Sequence, residues 1–325
     1  MSDRPAAAAV RVIGLDAATY QPHALHATER TWTETNCYVD VWIELLHALG
    51  LDPLAAGAFT LSADFEGDQW RFIKFLPEDM RELYNLEVNE MAVWRPVIEH
   101  LVEHMNAGRL LTVEVDSWFL PDTRGVSYGI DHVKSTIIPE MLAVDGKRLG
   151  YFHNAGYFEL AGDDFDGLFA PPLLPPYVEL VNVDALTRDV PDLVDRVIGQ
   201  TKAHLARRPT SNPVVRMGAR LEADVDWMVA QDVKRFHEYA FVTARQCGST
   251  AELAASFVDW LDERDGGGLA PVTEAFRQMS ETAKGLQFGL ARRARGRAFD
   301  IAKPIAEMAE QYDAAMTGLV ARYGG

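Results

Sequence analysis

The stretch ETNCYVDVWIELLHALG (residues 34–50) has the pattern of one complete helix, with a cap at its start and a stop at its end. Asn36 can accept hydrogen bonds from the first backbone N–H groups, and Gly50 allows the left-handed turn that commonly ends a helix. A helix is therefore predicted over Cys37–Leu49. Cys37 lies in its first turn, where unpaired N–H groups and the helix dipole stabilise a thiolate.

The same helix allows a second interpretation of its cysteine. Cys37, Val41 and Leu45 recur at a spacing of four and share one helical stripe. Free cysteine is among the most buried residue types, so packing is the competing role for Cys37. Cys247, which precedes Gly248 at a predicted helix end, is interpreted as a packing residue or an unreactive thiol. Two cysteines without a C-x-x-C motif exclude a disulfide framework and a cysteine metal clip.

Alternation of apolar and polar residues predicts strands downstream of this helix. They are expected at Gln69–Phe75, Leu111–Asp116, His132–Ile138, within Arg148–Leu160, and at Val178–Val183. Beyond Asp189 the pattern is almost entirely helical, with helices expected at 191–207, 221–246, 250–264, 271–293 and 298–322. The predicted fold class is α+β: an antiparallel sheet with helices in residues 1–185, then an all-helical domain in residues 186–325 that packs on it.

The net charge and the hydropathy of the chain limit the classes of partner that it can bind. The chain has 31 Lys+Arg against 48 Asp+Glu, a formal net charge of −17. A nucleic-acid partner is not expected, because phosphate contacts need a basic face, and anionic membranes are disfavoured for the same reason. No apolar run approaches the roughly 18 residues of a membrane helix. The N-terminal sequence MSDRPAAAAV lacks the apolar core of a signal peptide, so the cytoplasm is the expected location.

Several chemistries lose support because their motifs are absent. Neither GxxxxGK[ST] nor GxGxxG occurs, which disfavours nucleotide-driven chemistry. HExxH is also absent, and His23 and His26 stand too far from acidic residues to predict a metal site. No metal and no bound redox cofactor are expected.

The remaining candidate chemistry is nucleophilic. A thiol becomes an effective nucleophile when a base stands beside it and a third group orients that base. His132 opens a predicted strand, and Asn154 lies on the next strand or turn. The order of a helix-start Cys, a strand His and a following Asn is that of papain-like cysteine enzymes. The competing interpretation makes His132 a hydrogen-bonded strand histidine and Asn154 a turn residue.

Four blocks carry a resemblance that covers nearly the whole chain. They are residues 27–53, LSADFEGDQWRFIKF (61–75), DHVKSTI (131–137) and GYFHNAGYFELAGDDFDGLF (150–169). They resemble an uncharacterised bacterial family of domains of unknown function. That family is more distantly similar to the butirosin-biosynthesis acyltransferase and to the double-glycine leader peptidases of the papain-like clan.

The resemblance implies a papain-like domain and an acyltransferase. An acyl or aminoacyl group would pass from a carrier-protein thioester to an amine through a Cys37 thioester, with phosphopantetheine delivered on the carrier protein. His132 would be the base and Asn154 its orienting group, with the adjacent His153 as an alternative. A cysteine hydrolase with the same residues and a non-catalytic binding protein of the same fold are the alternatives.

The oxyanion donors depart from the papain-like pattern. Papain-like enzymes often place a Gln six residues before the Cys, where this chain has Thr31. The resemblance therefore leaves Asn36 and Thr31 as helpers beside the Cys37 backbone N–H.

Two further clusters are candidate binding sites. The polar residues before a predicted strand could recognise a substrate amine, or could form only a capped, solvated turn; they are Asp64, Glu66, Asp68 and Gln69. The basic cluster ARRARGR (291–297) could dock an acidic carrier protein or its phosphopantetheine phosphate through its arginines, Arg292, Arg293, Arg295 and Arg297. Such a run is also typical of a solvated helix face.

Overall fold

A computed structural model describes residues 9–172 and 174–324. Residues 1–8, which carry most of the N-terminal sequence considered above, lie outside the described residues. The chain forms two compact units, each built from separate stretches of sequence. We call residues 1–28, 36–53 and 76–190 the sheet unit, and residues 29–35, 54–75 and 191–325 the helical unit.

The sheet unit contains a seven-stranded sheet in which every pair is antiparallel. Its strands are β1 (Val10–Arg11), β4 (Glu87–Glu90), β5 (Leu110–Asp116), β6 (Lys134–Ala143), β7 (Arg148–His153), β8 (Gly156–Ala161) and β9 (Val178–Asn182). The order across the sheet is β4-β9-β5-β6-β7-β8, and β1 adds to the end of β6. The helical unit has a small hairpin, β2 (Phe65–Glu66) with β3 (Gln69–Trp70).

Helices cover both faces of this sheet. They are α1 (Cys37–Ala48), α2 (Pro77–Tyr84), α3 (Val97–Asn106) and α4 (Asp163–Leu168). Helix α1 packs on β6 and β7. On the opposite face, Leu101 of α3 and Phe165 of α4 join a buried cluster with Leu111, Val113 and Ile137 of the strands. Side chains alternate along a strand, so neighbouring residues of β5 and β6 face opposite helices.

The described residues of the helical unit form seven α-helices. They are α5 (Leu193–Ala206), α6 (Pro213–Ala223), α7 (Val225–Val229), α8 (Val233–Ala240), α9 (Gln246–Arg264), α10 (Ala270–Ala294) and α11 (Ala302–Tyr323). Trp32 is buried in this unit, and its indole N–H donates to Ser280 Oγ at 3.1 Å. Gly248 lets Trp32 approach α9, because a Cβ there would stand 2.6 Å from the indole ring.

The α+β class, the antiparallel sheet and the helical C-terminal region are confirmed. The strand predicted at Gln69–Phe75 is wrong beyond Trp70, because β3 ends there and Ile73 and Phe75 are buried in a segment that is not a strand. β6 begins at Lys134, so His132 precedes the strand instead of opening it. The helix predicted at 221–246 is divided into shorter helices, and a π-helix at Phe241–Arg245 joins α8 to α9 without the break expected before residue 250. No helix among the described residues is long and apolar enough to cross a membrane.

A buried ion network holds the segment before α1 against that helix. His26 Nδ1 contacts Glu44 Oε1, and its Nε2 lies 3.5 Å from Asp40 Oδ1. Tyr20 O–H donates to Glu44 at 2.5 Å. Burial lowers the pKa of His26, but the hydrogen bonds that its ring donates to Asp40 and Glu44, with the charges of these carboxylates, outweigh burial and raise the pKa to about 9. His26 is therefore a buried cation at neutral pH.

We expect this network to make stability fall as the pH rises. Because the pKa of His26 is higher in the folded than in the unfolded protein, its protonation stabilises the fold. This stabilisation is complete below the ordinary pKa of 6.5 and is lost as the pH rises past about 9. The free energy of unfolding should decrease by up to about 3 kcal/mol across that window. Urea unfolding at successive pH values measures it. His26→Gln should flatten the slope, whereas the exposed His237→Gln should not; equal slopes in both variants would contradict the assignment.

Candidate functional site

A strip of polar side chains runs along β5 and β6 on the face that carries α1. We call it the polar strip, and its members are Thr112, Glu114, Asp116, Lys134 and Thr136. Glu114 pairs with Thr136 and Asp116 with Lys134 in the strand register. Lys134 Nζ donates to Glu114 Oε1 at 2.6 Å. The strip is buried at Thr112 and Thr136 and exposed to solvent at Lys134.

Cys37 is the first residue of α1 and faces this strip. Asn36 caps the helix, because its Oδ1 accepts hydrogen bonds from the backbone N–H groups of Tyr38 and Val39. Cys37 Sγ lies 3.9 Å from Thr136 Oγ1, and Cys37 is half-buried. Thr136 is a neutral hydroxyl and not a base. The helix start predicted for Cys37 and the cap predicted for Asn36 are confirmed.

The second cysteine differs sharply in environment. Cys247 is buried within α9, and burial raises the pKa of its thiol well above the ordinary range. A thiol that cannot ionise is a poor nucleophile. Of the two cysteines, only Cys37 is partly open to reagents.

His132 lies beyond the start of β6 and is held by a carboxylate. Its Nδ1 is 2.5 Å from Asp116 Oδ2, and its ring stacks on Trp118 with the centroids 4.4 Å apart. Asp116 Oδ1 also accepts from the Trp118 backbone N–H. The His132 side chain is 67% exposed. A carboxylate on Nδ1 fixes the tautomer that leaves Nε2 as a proton acceptor.

Cys37 and His132 therefore have different partners in this structure. Thr136, the partner of Cys37, follows His132 by four residues, which corresponds to about 13 Å of extended chain. Asp116, and not Asn154 or His153, occupies the orienting position on His132. Sequence reasoning missed Asp116 because the pairing depends on the register of β5 with β6.

Asn154 occupies the two-residue turn between β7 and β8, with φ +43°. The register pairs Ile138 with Phe152 and Ile137 with His153 and ends there, so Asn154 lies beyond the paired residues of β6 and β7.

His153 belongs to a different hydrogen-bond system on the other face. Its Nδ1 lies 2.5 Å from Asp122 Oδ2 and its Nε2 lies 2.6 Å from Ser135 Oγ. Its side chain is almost completely buried.

A buried carboxylate that the sequence analysis did not single out lies beside Thr112. Glu179 of β9 accepts hydrogen bonds from the hydroxyls of Tyr38, Thr112 and Tyr177. Burial first, and the nearby Glu179 charge second, raise the pKa of Tyr38 beyond the ordinary range. Tyr38 therefore remains a neutral donor. The sequence signal for this site is an acidic residue between the apolar residues Val178 and Leu180 of β9.

The residues predicted to bind a substrate amine lie in the helical unit. Asp64 pairs with Arg216 and stands 3.7 Å from Arg71, which also pairs with Glu66. The hydrogen bond from Arg71 lowers the pKa of Glu66. These two carboxylates already have cationic partners.

The other two members of that set are exposed. Asp68 lies in the turn of the hairpin, and Gln69 begins β3. Thr31 also belongs to the helical unit, where its backbone N–H donates to Glu252 Oε1 at 3.0 Å. Amine binding and an oxyanion role for Thr31 stay predictions.

The basic cluster lies at the end of α10 and in the connection to α11. Three of its arginines are exposed and Arg293 is half-buried. Within residues 9–172 and 174–324, none of the four makes an ion pair. Cavities of about 520 and 380 Å³ lie beside the connection, and Phe299 lines both. The smaller cavity brings Arg293 near three acidic residues, Glu222, Asp226 and Asp300, so the exposed positive charge of the cluster lies mainly at its other three arginines.

Two family models match the chain. One is described as the DUF1839 N-terminal domain and matches residues 21–183, and the other as the DUF1839 C-terminal domain and matches residues 191–321. No curated protein matches the chain.

Proposed function

Because the chain belongs to the DUF1839 family, a name that states no activity, we propose its function from the site: a cysteine acyltransferase. Cys37 would accept an acyl or aminoacyl group from a carrier-protein thioester and pass it to an amine in the cytoplasm. One observation carries the proposal. Cys37, the partly exposed cysteine of the two, begins α1 and faces the polar strip. Beyond the end of that strip, Asp116 holds Nδ1 of His132 and leaves its Nε2 able to accept a proton.

The reaction needs two proton transfers, and His132 is the proposed carrier of both. Cys37 thiolate attacks the acyl carbon, and the carbon–sulfur bond to phosphopantetheine breaks as that sulfur takes a proton from the His132 imidazolium. The amine then attacks the Cys37 thioester, gives a proton to His132, and Cys37 leaves as the thiolate. Asp116 stabilises the imidazolium in both steps.

The proposal requires His132 to approach Cys37. His132 lies outside the strands, in the connection from β5 to β6, and its ring is exposed. Contacts between catalytic groups often form only in the substrate complex. A papain-like arrangement is part of the proposal, with α1 across an antiparallel sheet and the base supplied beside β6.

Two alternatives keep the same site. Water in place of the amine would make the protein a cysteine hydrolase. The contact of Cys37 with Thr136, a neutral hydroxyl, favours a second candidate, a non-catalytic binding protein. Asp68 and Gln69 remain the proposed contacts for an amine.

Covalent loading separates an enzyme from a binding protein. The chain is mixed with an acyl carrier protein bearing an acylated phosphopantetheine, and intact mass with peptide mapping locates the acyl group. We expect it on Cys37, with Cys247 unmodified. Release by an added amine indicates transfer, and release in buffer alone indicates hydrolysis. No acylation, together with iodoacetamide labelling of Cys37 as slow as that of Cys247, would favour the binding protein.

We propose that the carrier protein docks at the exposed arginines of the basic cluster. We expect Arg292→Glu/Arg295→Glu/Arg297→Glu to weaken binding of an acyl carrier protein at least tenfold and to reduce the salt dependence of the affinity. The matched control reverses three paired arginines of the same unit, Arg235, Arg264 and Arg277. Calorimetry at two salt concentrations measures the affinity. Equal weakening in both triple variants would show that net charge alone matters.

A further inference from the structure

A serine, a histidine and an aspartate form a continuous hydrogen-bond chain on the face of the sheet opposite Cys37. Ser135 Oγ lies 2.6 Å from His153 Nε2, and His153 Nδ1 lies 2.5 Å from Asp122 Oδ2. This is the connectivity of a nucleophile, its base and the group that orients the base. We propose that Ser135 is a second nucleophile of this protein and accepts acyl groups from small activated esters.

The alternation of side chains along β6 places the Ser135–His153–Asp122 network on the opposite face of the sheet from the proposed cysteine site. Ser135 and Thr136 are neighbours in β6, so their side chains face opposite sides of the sheet. Thr136 contacts Cys37, whereas Ser135 shares its face with Ile137 and the buried cluster under α3 and α4. The two nucleophiles can therefore be removed independently.

Three separate elements carry the three side chains of this network. Ser135 is on β6, His153 ends β7, and Asp122 comes from the short 3₁₀ turn Pro121–Thr123. Tyr151 O–H donates to Asp122 Oδ1 at 2.5 Å, so both oxygens of this carboxylate have donors. Burial, followed by the charge of Asp122, raises the pKa of Tyr151 beyond the ordinary range, so Tyr151 stays a neutral donor.

The burial of His153 favours its proposed role as the base. The side chains of His153 and Asp122 are 1% and 5% exposed. With little water nearby, a carboxylate fixed on Nδ1 stabilises the imidazolium that forms when Nε2 takes a proton. Ser135 is 6% exposed, which limits the acyl group to a small one unless the residues around Asp122 move.

An unpartnered buried hydroxyl lies near Ser135. Ser117 is 3% exposed, and its Oγ has no hydrogen-bond partner among the described residues. Its backbone N–H donates to Val133 O, while Val115 pairs with Ser135, so Ser117 lies diagonally across the β5–β6 ladder from Ser135. Diagonal neighbours are about 7–8 Å apart. A buried donor without an acceptor at that distance is suited to an oxyanion between the two serines.

The proposed step balances within these groups. Ser135 Oγ forms a bond to the acyl carbon as its proton moves to His153 Nε2. The bond from the acyl carbon to the leaving oxygen breaks, and the leaving oxygen takes that proton from His153 and departs as an alcohol or phenol. Water then attacks the Ser135 ester and gives a proton to His153, which passes it to Ser135 Oγ as the carbon–oxygen bond to Ser135 breaks and the carboxylic acid leaves.

The test uses the full chain with Cys37→Ala, which removes the other nucleophile, and p-nitrophenyl acetate as the probe. Release of p-nitrophenol is followed with time, and peptide mapping locates the acetyl group. We expect acetyl on Ser135 and a slower reaction with longer acyl chains. Because mapping is done with Ser135 in place, the result does not depend on whether a Ser135 variant folds.

Matched variants separate a nucleophile from a structural hydrogen-bond network. Ser135→Ala should remove the acetylation, and Asp122→Asn should slow it by roughly 10³- to 10⁴-fold. Ser127→Ala, which removes another buried serine of the same region, should leave it unchanged. Thermal unfolding of each variant is measured in parallel. Acetyl absent from Ser135, or present on Ser127 to the same extent, would overturn the proposal.

Discussion

Cys37→Ser is expected to abolish acyl transfer from a carrier-protein thioester, lowering the rate by roughly 10⁴-fold or more. Serine keeps the shape of the side chain and its contact with Thr136, so the fold should be unchanged. It is far less ionised than a thiol near neutral pH, and that difference removes the nucleophile. Stopped-flow transfer assays and intact mass of the acylated protein measure the effect.

Stability separates this result from a packing role. If Cys37 only packs, Cys37→Ala should cost about 1 kcal/mol of unfolding free energy and leave carrier-dependent activity unchanged. Cys247→Ala is the matched control, because Cys247 is fully buried and should affect stability without affecting transfer. Full transfer by the Cys37→Ser protein would remove the covalent mechanism.

His132→Ala is expected to lower acyl transfer by roughly 10²- to 10⁴-fold, the range of a lost general base. Asp116→Asn should produce a comparable loss while the ring stays in place, because an amide cannot stabilise the imidazolium as a carboxylate does. Both losses should appear in the rate of the acylation step. A single-turnover assay with loaded carrier protein measures that step directly.

Two controls make this result specific. Lys134→Gln removes an exposed charge from the same strip, where Lys134 pairs with Glu114, and should change the rate little. The Asp122→Asn variant should also leave Cys37 acylation intact, because Asp122 contacts His153 and Tyr151 and not His132. If Lys134→Gln lost as much transfer as Asp116→Asn, the loss would be an effect of surface charge and not of the Asp116–His132 contact.

Local features of the site were predictable from sequence, and nonlocal ones were not. Asn36 and Gly50 identify the start and end of α1 because capping depends on neighbouring residues. The pairing of His132 with Asp116 depends on which strands are adjacent, and sequence separation carries little information about that. Asn154 is predicted from its place on a following strand or turn and from its amide carbonyl, but it lies in the turn beyond the β6–β7 register, and Asp116 is the partner of His132.

The strand predicted at Gln69–Phe75 shows the same limit. Alternation reports which side chains are buried, and Trp70, Ile73 and Phe75 are indeed buried. It does not report whether the segment joins a sheet, and β3 ends at Trp70. A period-two pattern is therefore compatible with a segment that buries alternate side chains without being a strand.

The interleaving of the two units along the chain has a practical consequence for cutting the protein apart. Residues 29–35 and 54–75, on either side of α1, belong to the helical unit, and Trp32 is held there by Ser280 and by backbone N–H donation to Glu252. A protease nick at the exposed residues near Asp189 should therefore give two fragments that copurify under native conditions. Expressing residues 1–185 alone would leave Trp32 without its site, so an N-terminal fragment should need coexpression of residues 186–325 to be recovered in folded form.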